Sequence, residues 1–151
     1  MARNYYSEIH LHITWHTKES APLLVPKVET MAHHAIRDKC VKLPGVFVHE
    51  IGGTETHVHV AVRIAPTVLI SEAIGQIKGY SSHDVNKKLG DGQKVLQWQD
   101  GYGVVSFGTR NLDWVTDYIR NQKQRHAERR MIGRLERVDP EAEEGEYQAE
   151  R

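Results

Sequence analysis

Residues 56–62 read THVHVAV, and this short stretch decides how we interpret the fold of the whole chain. Its side chains alternate with a period of two, which is typical of a β-strand that packs one face against a core. The alternation places Val58 and Val60 on the core face and His57 and His59 together on the other face, about 6.6 Å apart along the backbone. Two imidazoles at that spacing can converge on one cation, although paired histidines are also common in strands that bind no metal.

This stretch belongs to a series of predicted strands and helices. Residues 5–16 alternate in the same way and predict a half-buried strand with His10 and His12 on its polar face. Gly52 and Gly53 precede the strand of His57, where a hairpin connection takes positive φ angles. Further strands are predicted over residues 46–51, 57–64 and 103–107, and helices over residues 27–43, over residues 68–89 and from residue 111 onward.

The order of these elements predicts the fold class. The order β, α, β, β, α, β, α gives two crossovers over one sheet in which the first and third strands are central. We therefore expect an α+β fold, a ferredoxin-like or RRM-like antiparallel sheet with helices packed on it, plus a C-terminal helix. The central pairing would place the histidine faces of the first and third strands side by side.

Composition is typical of a single-domain protein of the cell interior. The 151 residues are 39% hydrophobic and 26% charged, and no run approaches the roughly 18 apolar residues of a membrane span. The N-terminus lacks the apolar segment of a signal peptide, and Cys40 is the only cysteine, which excludes an internal disulfide. We therefore expect a cytoplasmic protein with no membrane partner.

Charge is unevenly distributed, although the net charge is zero. Residues 136–151 contain seven acidic and two basic residues, which leaves 18 basic against 13 acidic residues in residues 1–135. We expect a functional domain over residues 1–135 and an acidic C-terminal tail over residues 136–151. Because charges farther apart than about 8 Å are screened, a local basic stripe can bind phosphate even in a neutral chain, although such a run is more often a solvated helix face. The stripe consists of Arg120, Lys123, Arg125, Arg129, Arg130 and Arg134.

The last predicted helix carries Tyr118 and Gln122 four residues apart, on the same face. The ordinary pKa of a tyrosine hydroxyl is about 10, so it is a poor nucleophile at neutral pH and needs a polarised electrophile. A divalent cation bound to a phosphodiester oxygen would supply that polarisation. Two histidines and the amide oxygen of Gln122 would leave positions for phosphate and water around Mg²⁺ or Mn²⁺. A lone helical tyrosine is more often a packing residue, so this chemistry depends on the histidine pair lying nearby.

Four blocks of the sequence, in order, resemble the single-tyrosine transposases of the HUH superfamily, which small bacterial insertion sequences encode. They are HITWHTK over residues 12–18, the sequence His57-Val58-His59, IKGYSS over residues 77–82, and WQDGYGVVSF over residues 98–107 followed by YIRNQ over residues 118–122. The blocks span most of residues 5–126. Many relatives carry an acidic residue immediately before the first histidine, where this chain has Thr56.

The resemblance implies an activity and residue roles. Tyr118 would be the nucleophile, and His57, His59 and Gln122 would be ligands of Mg²⁺ or Mn²⁺. The resemblance assigns no role to His10 and His12. From the predicted strand pairing alone, they could be supporting contacts behind the ligands, phosphate contacts or solvated edges of the sheet. Such enzymes cleave single-stranded DNA near hairpins at element ends, hold the 5′ phosphate on the tyrosine, and rejoin strands by attack of a 3′ hydroxyl. The resemblance also implies a homodimer, in which the tyrosine helix of one subunit can complete the site of the other.

DNA contacts are expected from two regions that flank this site. Charged and hydroxyl side chains donate to phosphates, and exposed aromatic side chains stack on unpaired bases. Candidate stacking surfaces are Tyr80, Trp98 and Tyr102, although Trp98 and Tyr102 could equally fill a small core of their own loop. Candidate phosphate contacts are Lys78, Ser81 and Ser82 on the second helix and Arg120, Lys123 and Arg125 after the tyrosine.

Two alternatives to a transposase remain open from the sequence. One is a non-catalytic RRM-like module, or a transposase retained for another role, that binds nucleic acid through its histidines without cleaving it. The other is a metal-dependent hydrolase that uses the histidines without a covalent intermediate. A covalent protein–DNA adduct would distinguish the transposase from both, because neither alternative forms one.

Overall fold

The computed structural model of the protein describes residues 4–140. The strands are β1 (His10–His16), β2 (Val46–Gly53), β3 (His57–Ile64) and β4 (Gly103–Phe107). The helices are α1 (Pro26–Lys42), α2 (Ile70–Leu89), α3 (Leu112–Arg120), α4 (Gln122–Ala127) and α5 (Gly133–Glu136), with short 3₁₀ turns at Lys18–Ser20 and Thr109–Asn111. The order along the chain matches the predicted order through α3.

The four strands form one antiparallel sheet with the order β2-β3-β1-β4. The prediction of an α+β, ferredoxin-like sheet with the first and third strands in the centre is therefore confirmed. The register between these two strands pairs His16 with His57 and Thr14 with His59. The polar faces of both strands consequently meet at one end of the sheet.

One face of the sheet packs against α1 and α2 in the main hydrophobic core. Leu11, Ile13 and Trp15 alternate into this core from β1, and Val58 and Val60 do so from β3. The core thus uses the residues that the period-two pattern assigns to it. Because those residues point one way, their histidine neighbours must point to the opposite face.

The opposite face is also covered, so the prediction that β1 is only half-buried is wrong. His12, Thr14 and His59 are each 1% exposed or less. The covering elements are α3, which contacts β2 and β3, and α5, which contacts β1 and β4. Sequence periodicity could not show this cover, because it comes from a distant part of the chain.

Two strand glycines allow the C-terminal elements to approach the sheet closely. A Cβ atom added at Gly52 would overlap the carbonyl group of Ile119, and one added at Gly103 would overlap that of Arg137. Of the two glycines expected to take positive φ angles, Gly53 does so (φ 158°) and Gly52 does not. Close backbone approach, rather than turn geometry, therefore explains the glycine at position 52.

The C-terminal region is divided more finely than predicted. The single helix expected from residue 111 is interrupted at Asn121 (φ −101°, ψ 24°), which separates α3 from α4. The expected boundary between domain and tail, after residue 135, passes through α5, so Glu136 packs with the domain. Most of the predicted acidic tail, residues 141–151, lies outside the described residues. Within residues 4–140, no helix has the length and apolar character needed to cross a bilayer.

Candidate active site

The histidine pair on β3 is buried with one nitrogen of each ring unsatisfied. His57 and His59 are 4% and 0% exposed, and their ring centroids lie 4.9 Å apart. Neither Nε2 atom makes a hydrogen bond to any described residue. Buried polar atoms without partners are uncommon in proteins, which marks this point of the sheet as a candidate ligand site.

The other nitrogen of each ring has a partner that fixes the orientation of the ring. His59 Nδ1 lies 2.8 Å from His12 Nε2 across the two central strands. His57 Nδ1 lies 3.0 Å from Thr54 Oγ1 and 3.1 Å from Thr56 Oγ1. Partners of this kind hold metal-binding imidazoles in place and determine which nitrogen faces the metal. Thr56, at the position where many relatives carry an acid, thus contacts the first histidine as a hydroxyl.

Two residues that the sequence analysis did not assign complete the cluster. Glu136 reaches in from α5, and its carboxylate oxygens lie 2.6 Å from His126 Nε2, 2.8 Å from His59 Nε2 and 3.6 Å from His57 Nε2. Ligand atoms of His57, His59, His126 and Glu136 all lie within 4.8 Å of one another. His126 follows Gln122 by four residues, a spacing that could have suggested it. Glu136 had no such local signal.

Electrostatics in the cluster favour an ionised Glu136 carboxylate beside a neutral His59. Burial opposes ionisation of Glu136, but His59, His126 and His57 outweigh it and hold the pKa of its carboxyl well below the usual range. Burial also lowers the pKa of both His12 and His59. The neutral imidazole is the form that binds metal, and the lowered pKa of His59 favours that form.

Tyr118 lies beside this cluster in the same chain. Its ring centroid is 6.0 Å from that of His59, and the side chain is fully buried. The hydroxyl oxygen accepts a hydrogen bond from the backbone N–H of Ile132 (2.9 Å). Burial and the charge of Glu136 raise the pKa of the phenol above its ordinary value, so Tyr118 is protonated at neutral pH.

Gln122 is 1% exposed and contacts both Tyr118 and His126. Its Oε1 atom is 3.1 Å from His126 Nε2, and its Nε2 donates to the carbonyl of Tyr118 at 3.2 Å. The predicted third ligand is therefore buried beside the site, with its oxygen turned toward His126.

The donor set fits a divalent transition-metal cation. It combines three imidazole nitrogens with one carboxylate, which together suit Mn²⁺ and Zn²⁺ better than an all-oxygen cation such as Ca²⁺. Three unsatisfied buried atoms, His57 Nε2, His59 Nε2 and Glu136 Oε2, meet at this point. His59 Nε2 and Glu136 Oε2 lie 2.8 Å apart, within ion-pair distance. A cation between them would satisfy these atoms together.

Comparison with known proteins agrees with this arrangement. A family model described as "Transposase IS200 like" matches residues 5–122, most of the chain. This chain belongs to the IS200-like transposase family. The family consists of DNA-cleaving enzymes of DNA recombination, and the suspected relationship to single-tyrosine transposases is confirmed.

Two solved structures have a fold similar to that of this transposase. A candidate transposase from Deinococcus radiodurans R1 is 21% identical, with a TM-score of 0.64 over 81% of this chain and 96% of the other. A REP-associated tyrosine transposase, solved bound to a REP hairpin, is 18% identical, with a TM-score of 0.61 over 88% of this chain and 78% of the other. At these identities the similarity supports the fold alone. No curated protein sequence matches the chain.

The α2 residues that were predicted to contact DNA form hydrogen bonds within the protein instead. Lys78 Nζ donates to the carbonyls of Gln99 and Gly101, at 2.7 and 2.8 Å. Ser82 Oγ donates to the carbonyl of Lys78 at 3.2 Å. Ser81 is fully buried and accepts a hydrogen bond from Trp98 Nε1 at 3.0 Å, so its hydroxyl has no surface for a phosphate in this conformation.

The three basic residues that follow the tyrosine are more exposed but are also paired. Arg120 forms a salt bridge with Glu50 at 3.0 Å, and Lys123 forms one with Glu29 at 2.7 Å. The guanidinium group of Arg125 lies 4.8 Å from the ring centroid of Tyr118. Lys123 also lines an open cleft of about 450 Å³ that extends from the β2–β3 connection to His126. This cleft therefore leads to His126, one member of the His57, His59, His126 and Glu136 cluster.

The remaining assigned residues divide between the site and other regions. His12 contacts His59 as described, whereas His10 lies at the far end of β1 and contacts His49 and Thr109. Trp98 packs edge-to-face against Trp15, with ring centroids 5.8 Å apart, which supports a packing role over a stacking role. The Tyr80 hydroxyl donates to Asp38 at 2.8 Å.

Proposed function

We propose that this transposase cleaves and rejoins single-stranded DNA at hairpin-marked element ends through a 5′-phosphotyrosine intermediate on Tyr118. The single observation that carries the proposal is the position of Tyr118, 6.0 Å from His59 between ring centroids and within one chain. Two buried imidazole nitrogens without a hydrogen-bond partner lie at the same place. Packing of Tyr118 alone does not account for these nitrogens, whereas a cation site does.

The chemistry follows from the residues at the site. The Tyr118 oxygen attacks phosphorus, the bond from phosphorus to the 3′ oxygen breaks, and the 5′ phosphate stays on the tyrosine. The proton lost by the phenol balances the proton taken up by the departing 3′ oxygen. Rejoining reverses these changes, with a 3′ hydroxyl as nucleophile. Because its pKa is raised, the Tyr118 phenol is a weak nucleophile at neutral pH. Its attack therefore requires a phosphodiester that has been made more electrophilic.

A divalent cation, Mg²⁺ or Mn²⁺, would supply that reactivity by polarising the phosphate when it is bound. His57 and His59 would hold it through their Nε2 atoms, and His12, Thr54 and Thr56 would orient the two rings. Gln122 was predicted as the third ligand, and its oxygen is one side chain away from this position, against His126. Imidazole donors favour Mn²⁺ over Mg²⁺.

The proposed substrate is a DNA hairpin with a single-stranded flank. The fold resembles that of a REP-associated tyrosine transposase that was solved with a REP hairpin. Arg120, Lys123 and Arg125 are the proposed phosphate contacts, and the cleft beside Lys123 and His126 is the proposed approach for the strand. The homodimer also remains a prediction. Since Tyr118 and His59 are neighbours in one chain, cleavage would not require the partner's tyrosine.

The experiment incubates the purified protein with labelled single-stranded DNA from the flanks of its own gene, with Mn²⁺ or Mg²⁺ present. We expect a denaturant-resistant adduct from the natural protein and none from Tyr118→Phe, while both bind the hairpin equally in a gel shift. Tyr6→Phe, which changes an exposed tyrosine outside the site, is the matched control and should form adduct normally. Cleavage by Tyr118→Phe at the natural rate would rule out the proposed nucleophile.

A second candidate function is hairpin binding without cleavage by a retained transposase. The observation that favours it is the closed site, in which Tyr118 is fully buried and Glu136 contacts the histidines. Hairpin binding without adduct at any concentration of Mn²⁺ would support this candidate. A metal-dependent hydrolase would instead release cut DNA without an adduct, and its cleavage would survive Tyr118→Phe.

A further inference from the structure

Two short C-terminal helices bring side chains to the histidine pair on the sheet. His126 from α4 and Glu136 from α5 approach His57 and His59 so closely that ligand atoms of all four lie within 4.8 Å of one another. The carboxylate lies 2.6 Å from His126 and 2.8 Å from His59. Three separate elements of the chain therefore converge on one point.

The hydrogen bonding of the described residues leaves this point unsatisfied. Five buried side-chain nitrogen or oxygen atoms in residues 4–140 have no hydrogen-bond partner, and three of them are His57 Nε2, His59 Nε2 and Glu136 Oε2. The Nδ1 atoms of the same two histidines do have partners. The unsatisfied atoms are thus confined to the side of each ring that faces the carboxylate. This pattern is expected where a cation belongs.

We propose that His126 and Glu136 join His57 and His59 as ligands of the divalent cation in the DNA-free protein. The inference rests on the cation site of the proposed function and deepens it by assigning two further ligands. A set of three imidazoles and one carboxylate satisfies a four-coordinate cation with protein groups alone, as in closed metal sites. Gln122 then acts next to His126, through the 3.1 Å contact, rather than on the cation.

This ligand set links the cation to the cover over the tyrosine. Glu136 belongs to the same short segment as Ile132, whose N–H donates to the Tyr118 hydroxyl. Leu135 between them is 3% exposed and packs with Tyr118 and Val115. A DNA phosphate is anionic, like the Glu136 carboxylate, and would take the same position on the cation. Replacement of the Glu136 carboxylate by a DNA phosphate would therefore release the segment from Ile132 to Glu136. The same release would expose Tyr118.

The first test measures metal binding by the full-length protein without DNA, by calorimetry with Mn²⁺ and by the visible spectrum of the Co²⁺ form. We expect Glu136→Gln and His126→Gln each to weaken Mn²⁺ binding by ~10-fold or more. The intense spectrum of four-coordinate Co²⁺ should weaken in both variants. Glu128→Gln and His83→Gln, an acid and a histidine outside the cluster, are the matched controls and should bind like the natural protein.

His57→Ala separates failure of this inference from failure of the cation site. Metal binding that is lost in His57→Ala but unchanged in Glu136→Gln and His126→Gln would overturn the inference and leave the cation site standing. Unchanged binding in His57→Ala as well would overturn both. Circular dichroism on every variant, and Glu136→Asp, which keeps the carboxylate, distinguish a lost ligand from a lost fold.

A second measurement follows the segment itself by hydrogen exchange. Adding Mn²⁺ should slow exchange at the Ile132 amide in the natural protein, and this protection should disappear in Glu136→Gln. At saturating Mn²⁺, Glu136→Gln should also form the DNA adduct faster than the natural protein, because the phosphate no longer competes with a carboxylate. Equal protection of the amide by Mn²⁺ in both proteins would contradict the link between cation and cover.

Discussion

Two histidine clusters lie on one face of this sheet, at opposite ends of β1. At one end, His10 Nδ1 is 3.0 Å from His49 Nε2, and His10 Nε2 is 2.9 Å from Thr109 Oγ1, so both ring nitrogens have partners. At the other end, about 20 Å away at ~3.3 Å per residue, His57 and His59 each keep one nitrogen without a hydrogen-bond partner. His10, His57 and His59 are all buried, and among the described residues only the second cluster contains a carboxylate in contact with its rings.

The difference teaches that residue type and burial do not identify a metal site by themselves. The sequence assigned His10 and His12 the same supporting role, because they alternate on one strand face. Only His12 has a partner among the proposed ligands, since β1 and β3 pair Thr14 with His59 and bring His12 next to that ring. The informative feature is the direction of the unsatisfied nitrogen, which depends on register and on what covers the face.

The largest expected effect contrasts one histidine from each end. His57→Ala should lower the rate of adduct formation by ~100-fold or more, because polarisation of the phosphate by the cation is worth several kcal/mol. His10→Ala should leave the rate within about threefold, since its loss affects only packing and hydrogen bonds at the far end. Single-turnover cleavage assays at saturating Mn²⁺ measure both. Equal losses in the two variants would remove the functional distinction between the clusters.

A smaller effect is expected from His12, which contacts the proposed ligand His59 but is not itself a proposed ligand. His12→Phe keeps the volume of the side chain but removes the 2.8 Å contact to His59 Nδ1. We expect Mn²⁺ affinity to fall by ~10-fold to ~100-fold, the usual cost of losing a group that orients a histidine ligand. His10→Phe is the control at the other end and should not change the affinity. Calorimetric titration provides the measurement, and unchanged binding in His12→Phe would assign His12 to packing alone.

Much of the fold was predictable from local patterns, whereas half of the cluster was not. The strand of His57 and the strand from Gly103 to Phe107 were predicted to the residue, because alternation and flanking glycines define them. The break at Asn121 follows from tertiary packing, which overrides a continuous helical pattern. Glu136 lies in an acidic stretch that indicates a solvated tail. Its place beside the histidines arises from contacts far apart in sequence, which no local period encodes.

Two glycines, one in β4 and one just after it, test whether the sheet holds the C-terminal segment over Tyr118. Gly103 pairs with Thr14, and a Cβ atom there would overlap the carbonyl group of Arg137. Gly108, just beyond the same strand near His10, has no heavy atom within 4 Å of an added Cβ. Gly103→Ala should therefore destabilise the protein by ~1–3 kcal/mol, the usual cost of overpacking.

Denaturant unfolding measures that cost, and Gly108→Ala is the matched control, which should stay within about 0.5 kcal/mol of the natural protein. Hydrogen exchange at the Ile132 amide should also become faster in Gly103→Ala, because Arg137 belongs to the segment that covers Tyr118. Destabilisation with normal exchange at that amide would show that the cover is not held by the sheet at this point.

The smallest expected effect is a titration at the end of the sheet that contains His10 and His49. Burial, with His10 and Arg63 nearby, lowers the pKa of His49 from its ordinary value. A histidine with a lowered folded pKa contributes stability that is complete above the unfolded pKa of about 6.5 and is lost as the pH falls below it. NMR titration should therefore find the pKa of His49 below its ordinary value, and Arg63→Gln should raise it toward that value. Adding diamagnetic Zn²⁺ should shift the ring resonances of His57 and His59 but leave those of His10 and His49 unchanged. His10 and His49 are hydrogen-bonded to each other, and His10 is also bonded to Thr109.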